Sequence, residues 1–202
     1  MKIGIIGIGS LTLELAQRAS SAGYEILINH PRGNSFIQQT TESISNARLV
    51  SLQEAAMGDV IILFVPREDL EKTIGMLPDM TGKIIVHTSG LIFNPKLLVS
   101  SITSALTFQI TASLLPKAYV VKLFSPVMLQ PQKTSLVTKS KDEIYFAGDH
   151  TPSKNTVKTF LKDIGFDPFD LSSRLKSQKT VLLHKKNSLL NVWYQKHHYK
   201  SN

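Results

Sequence analysis

Residues 7–9 of this 202-residue chain read Gly-Ile-Gly and close a short apolar run that begins at Lys2. A strand that runs into glycines and then into an amphipathic helix can hold a pyrophosphate. One glycine permits the tight turn, the next lets the backbone approach the phosphates, and the helix N-terminus offers N–H groups and partial positive charge. Leu11, Leu15, Ala19 and Ala22 recur at near-helical spacing, Gly23 stands where a helix ends, and Tyr24 to Ile28 form a second apolar run. The pattern predicts a dinucleotide turn built from Gly7, Ile8, Gly9, Ser10, Leu11 and Thr12. Thr12 occupies the place of the third glycine of such turns.

The second run ends in Asn29-His30-Pro31-Arg32-Gly33-Asn34-Ser35, without a carboxylate. An Asp or Glu at this point would accept hydrogen bonds from the ribose 2′-hydroxyl of NAD and repel a 2′-phosphate, whereas a guanidinium forks onto that phosphate. Arg32 is therefore the candidate 2′-phosphate clamp, with Asn29, His30 and Ser35 as further donors, and the expected coenzyme is NADP(H). Ligands of open α/β sheets lie outside the C-terminal strand ends. Further along the chain those ends are Phe64-Val65-Pro66 and His87-Thr88-Ser89, all candidate coenzyme contacts. His87 is the titratable group there and the candidate catalytic residue, able to donate a proton to a reduced acceptor; the alternative is a structural or coenzyme contact.

Elements must position these groups, and the remaining chain supplies them. Short apolar runs at 60–65, 83–86, 119–123 and 144–147 read as buried parallel strands, and helices fit at 51–57, 67–76, 105–116 and 153–164. The predicted fold is α/β, a Rossmann-type doubly wound and mostly parallel sheet over residues 1–172, followed by a helical extension over 173–202. The net charge of +8 is concentrated in that extension, where residues 174–202 carry seven Lys or Arg and no acid. The body is almost neutral, so no nucleic-acid partner is expected. Leu175, Leu182, Leu189 and Trp193 in the extension suit a helix docked on its own domain or on a second subunit, hence a possible homodimer. There is no cysteine, which excludes disulfides and thiolate chemistry, and no metal site is expected. No apolar segment is long enough to span a bilayer, and the expected location is the cytoplasm.

Several segments resemble the 8-hydroxy-5-deazaflavin:NADP oxidoreductase family, which includes the oxidoreductase domain of six-transmembrane metalloreductases. They are the glycine turn, the Asn29–Gly33 loop, Ala55–Pro66, Val120–Phe124, Ala147–Lys154 and Gly165–Asp170. The resemblance implies an NADP(H)-dependent enzyme that passes a hydride between NADPH and a flavin-like, deazaflavin or other small acceptor. His87-Thr-Ser-Gly90 departs from the family's usual Asp-x-Thr/Ser-Asn-Pro and is closer to pyrroline-5-carboxylate reductases. Two alternatives therefore stand beside the first reading: an imine reductase of that type, and a non-catalytic NADP-sensing module.

Overall fold

The structure, a computed structural model, describes residues 1–88, 109–124 and 142–173. The chain divides into two units, Met1–Phe169 and Asp170–Asn202. Of the second, only Asp170–Ser173 are described: Asp170 ends the last strand, Ser172 and Ser173 are helical, and the Asp170 carboxylate accepts the Ser172 N–H at 2.8 Å. The expected C-terminal helix and all its basic residues lie outside the described residues.

The first unit opens with strand β1 (Lys2–Ile6), helix α1 (Ser10–Ser21) and strand β2 (Glu25–Asn29). A single helical turn at Asn34–Ile37 leads into α2 (Gln38–Glu42), β3 (Ala47–Leu49), α3 (Leu52–Ala55), β4 (Val60–Leu63), α4 (Arg67–Gly75) and β5 (Ile84–His87). Residues 109–114 are helical, and β6 (Tyr119–Phe124), β7 (Asp142–Gly148), α5 (Thr151–Asp163) and β8 (Phe166–Asp170) follow. Among the described residues these strands form one sheet in the order β3-β2-β1-β4-β5-β6-β7-β8. β1 to β6 pair in parallel, and β7 runs antiparallel to β6. The chain winds outward from β1 to β3, then returns to place β4 on the other side of β1. That reversal creates the switch point at which open α/β sheets bind ligands.

Burial on both faces explains the continuous apolar strands. Ile3, Ile5, Ile28, Ile62 and Val86 face a core completed by Leu11, Leu15 and Ala19 of α1 and by Val157, Phe160 and Leu161 of α5. Ile6, Leu27, Ile61, Leu63 and Ile85 face the other core, closed by Ala55, Leu70 and Ile74. Arg18 is buried in the first layer, where it donates to Glu14 at 2.6 Å and Asp142 at 2.5 Å and lies over the Phe166 ring. It fastens α1 to β7. One contact has no side chain in it at all: a Cβ at Gly4 would lie 2.0 Å from the Ala55 carbonyl oxygen, and one at Gly58 would lie 2.5 Å from the Gly4 nitrogen. The backbone of α3 and its following turn therefore rests directly on β1.

The expected boundaries shift for local reasons. The strand expected over 83–86 is Ile84–His87, which brings His87 inside the sheet. The helix expected over 51–57 shortens to Leu52–Ala55, with the Ser51 hydroxyl capping it by accepting the Glu54 N–H at 3.1 Å. The last helix starts at Thr151 rather than 153 because Pro152 suits the first turn and the His150 ring accepts the Ser153 N–H. Of the helix expected over 105–116, residues 109–114 are helical and 105–108 lie outside the described residues.

Candidate functional site

The C-terminal ends of β2, β1, β4 and β5 are knit together beyond the strands themselves. Gly7 N–H donates to the Asn29 carbonyl at 2.8 Å, Phe64 N–H to Ile6 at 2.9 Å and Thr88 N–H to Leu63 at 2.9 Å. These bonds fix four loop starts on one edge of the sheet. Every candidate contact that the sequence suggests begins on that edge, apart from Ser89, which lies outside the described residues.

Gly7 turns the chain with φ +87°, and a Cβ there would fall 1.8 Å from the Phe64 carbonyl oxygen. Only glycine meets both conditions. At Gly9 the place of a Cβ is taken by the Phe64 ring, 2.6 Å away, so Phe64 packs on the turn itself. The first helical bond of α1 runs from Leu13 N–H to the Gly9 carbonyl at 2.9 Å. The N–H groups of Ser10, Leu11 and Thr12 thus precede the intrahelical ladder, as the start of any helix requires, and form an anion-binding end.

Thr12, expected as a coenzyme contact, is fully buried. Its hydroxyl accepts the Gly9 N–H at 2.8 Å and sits 3.1 Å from the Gly9 carbonyl. The side chain thus locks the turn from within and leaves only the Thr12 backbone for a ligand. Leu11 is likewise buried.

The β2 loop is ordered by a pair of asparagines. Asn29 and Asn34 each donate to the Val50 carbonyl at 2.9 Å, and Asn34 accepts the His30 N–H at 2.9 Å. The Asn29 amide thus braces the loop scaffold. Asn34, which the sequence did not single out, is the second half of that scaffold. His30, Pro31 and Val50 line an open groove of about 830 Å³ with both asparagines. His30 sits below the usual histidine pKa because burial and Arg32 both disfavour its charge. Ser35 is exposed beside it.

Arg32 is exposed and already engaged. Its Nε and one terminal nitrogen fork onto Asp69 at 2.9 and 2.6 Å, and Glu68 stands 3.7 Å away. Both acids lie in the first turn of α4. Since β1 lies between β2 and β4, the ion pair spans the end of β1 where the glycine turn begins. Of the Phe64-Val65-Pro66 segment, Val65 is buried and Pro66 exposed.

At the end of β5 the environment reverses. His87 is buried, and its Nδ1 lies 2.9 Å from the Thr111 hydroxyl. His87 Nε2 and the Thr88 hydroxyl have no hydrogen-bond partner among the described residues. Burial, reinforced by the charge of Lys122, pushes the imidazole down to about 3. Lys122 is the register partner of His87 on β6, is itself buried, and is lowered by burial to about 8. The ring is therefore neutral near pH 7, which removes the imidazolium proton that a general acid at His87 would use. Neither Lys122 nor Thr111 stood out in the sequence, because a single polar residue in an apolar run carries no sign of what it faces. Among the described residues, no group of three or more His, Asp or Glu could hold a metal ion, and no helix is long and apolar enough to cross a membrane.

Comparison with known proteins agrees with this geometry. Residues 2–90 match the family described as NADP oxidoreductase, coenzyme F420-dependent. The chain is 25% identical over 174 residues to the metalloreductase STEAP3 of Rattus norvegicus, covering 85% of this chain but only 34% of that protein. It spans about a third of the length of that curated relative. Among solved structures, a hypothetical protein of Sinorhizobium meliloti is 27% identical with a TM-score of 0.69, covering 85% of this chain and 84% of that one. Two further structures share the fold: a suggested F420-dependent NADP-reductase of Arthrobacter (17% identity, TM-score 0.62, covering 96% and 94%) and an imine reductase of Aspergillus terreus with a bound NADPH derivative (15%, 0.58, covering 94% and 62%). The stretch that matches this family, residues 2–90, carries the glycine turn, the Arg32 loop and His87.

Proposed function

We propose that this protein is an NADP(H)-dependent oxidoreductase that transfers a hydride between NADPH and a small flavin-like or deazaflavin acceptor. The observation that carries the reading is the free N-terminus of α1 at the switch point, beside a β2 loop that offers Arg32 and no carboxylate. This donor set fits a dinucleotide with a 2′-phosphate: N–H groups for the pyrophosphate and a guanidinium for the third phosphate.

When bound, the nicotinamide supplies the two electrons as a hydride, leaving NADP⁺ and a reduced acceptor that takes up a proton. The chain's own task is placement. Ser10, Leu11 and Thr12 N–H groups orient the pyrophosphate, Arg32 holds the 2′-phosphate, and Phe64 and Pro66 border the path toward β5. There His87, fixed by Thr111, presents a neutral ring. His87 and Thr88 hold the place beside which the nicotinamide is expected from the family resemblance. The division into a coenzyme domain over 1–172 and a basic helical extension over 173–202, a homodimer and a cytoplasmic location complete the proposal.

Titration of the purified protein with NADPH and NADH tests the coenzyme. NADPH should bind more tightly, and Arg32→Ala should reduce that preference by about 10- to 100-fold, the size expected for losing a charge-assisted bidentate contact. An unchanged ratio would overturn the assignment. NADPH oxidation across flavins, deazaflavins, ferric chelates, quinones and imines then identifies the acceptor. Stoichiometric binding with no oxidation in that panel would point instead to a sensing module.

A further inference from the structure

The Arg32–Asp69 pair lies where the coenzyme must enter, and its chemistry is that of competition. Asp69 Oδ2 accepts from Nε and one terminal nitrogen at 2.9 and 2.6 Å, which occupies the Nε–Nη2 edge that a 2′-phosphate arriving on that side would use. A single edge of the guanidinium can face one acceptor squarely, not two, so a phosphate on the Nε–Nη2 edge must take the place of Asp69. Glu68, 3.7 Å from the same guanidinium, adds a second negative charge to the position. Arg32 follows β2 and both acids lie in the first turn of α4, after β4, so the contact joins the two sides of β1, whose end leads into the α1 N-terminus.

We infer that Asp69 is a specificity-determining residue that competes with the coenzyme 2′-phosphate for Arg32. The inference rests on the coenzyme reading above. In the free protein the carboxylate keeps Arg32 extended across the turn. Arrival of the 2′-phosphate exchanges one anionic partner of Arg32 for another, and the displaced Asp69, with Glu68, is left facing a phosphate of like charge. A coenzyme without the 2′-phosphate offers Arg32 no such exchange and leaves the ion pair closed. Asp69 therefore lowers affinity for NADPH while leaving NADH nearly unaffected, and it sets the distance between the two.

The surroundings favour exchange over a permanent bond. The Arg32 side chain is 59% exposed and Asp69 28%, so water stabilises either group once they part. Asn29 and Asn34 hold the loop backbone through Val50 without involving Arg32, so the guanidinium can change partner while its loop stays in place.

The test is a double-mutant cycle on the full chain, with Kd for NADPH and NADH measured by fluorescence titration for the wild type, Asp69→Asn, Arg32→Ala and the double variant. Asp69→Asn should tighten NADPH about two- to fivefold, the range of an exposed ion pair, and change NADH by less than that. The gain should vanish when Arg32 is already alanine. Weaker NADPH binding in Asp69→Asn would overturn the inference, because it would make Asp69 a support that orients Arg32. An unchanged NADPH/NADH ratio, or an equal gain in the Arg32→Ala background, would overturn it as well. A wild type that prefers NADPH but does not respond at Asp69 removes this inference alone, whereas a wild type that binds neither coenzyme removes both it and the function on which it rests.

Discussion

Arg32 and His87 stand on opposite sides of β1 at the same edge of the sheet, and water reaches only one of them. On the β2 side the charged groups are exposed, paired with one another and free to change partner. On the β5 side His87, Lys122, Thr88 and Thr111 are buried. There desolvation is the largest influence on the protonation of His87 and Lys122. One crevice thus uses two electrostatic regimes: exposed charge can discriminate between coenzymes at little cost in stability, and buried polar groups tie stability to pH while presenting a fixed surface.

The largest effect that probes this contrast is acid sensitivity on the β5 side. His87 titrates near 6.5 in the unfolded chain and about 3 in the folded one, so between those values the unfolded state binds the extra proton. Stability should fall as pH drops from 6.5 toward 3, by about 1.4 kcal/mol per unit and roughly 5 kcal/mol over the window. His87→Leu should flatten that part of the profile in urea unfolding measured at successive pH values. A profile identical to the wild type would place His87 in a wetter setting and break the contrast.

Lys122 gives the next effect, at the alkaline end. Its pKa is about 8 when folded against 10.5 for the ordinary side chain, so the unfolded state again holds more protons in between. Stability attributable to this group should rise as pH increases from 8 to 10.5, by roughly 3 kcal/mol, and Lys122→Met should abolish the rise. The smallest effect belongs to the exposed side. Arg32→Ala should leave the urea midpoint where it was, while changing coenzyme preference as described. A large drop in that midpoint would mean that the Arg32–Asp69 pair holds the fold together, and the two sides would no longer differ in kind.

The same division governs what the sequence reveals. β1, α1, β2 and β4 are legible because buried parallel strands are continuous apolar runs and α1 has a one-sided stripe. β3 is invisible to that reasoning: Ala47-Arg48-Leu49 is too short to show a period, and it exists through its pairing with Ile26–Ile28. α2, Gln-Gln-Thr-Thr-Glu, has no apolar face, and β8 carries Pro168, which speaks against a central strand but suits one at the sheet's edge. At the site, the glycine turn and Arg32 can be read from residue type and local spacing. Their partners cannot. Asp69 lies 37 positions from Arg32, and Thr111 lies 24 from His87. Such pairs are made by strand order, which no local pattern records. Thr12 is the instructive intermediate: its departure from glycine is plain in the sequence, but that its hydroxyl replaces a ligand contact with an internal lock needs coordinates.

Gly4 has a consequence of another kind. Because peptide groups, not side chains, meet where β1 touches the α3–β4 turn, no neighbouring residue can shrink to make room for a larger one there. Compensatory change, the usual route by which a lineage replaces a core residue, is closed at positions 4 and 58. A library that randomised both would return the parental pair, whereas the loop around Arg32 would return many solutions. Substitution is thereby constrained unevenly: the exposed loop around Arg32 can take other side chains, and the footing beneath it cannot.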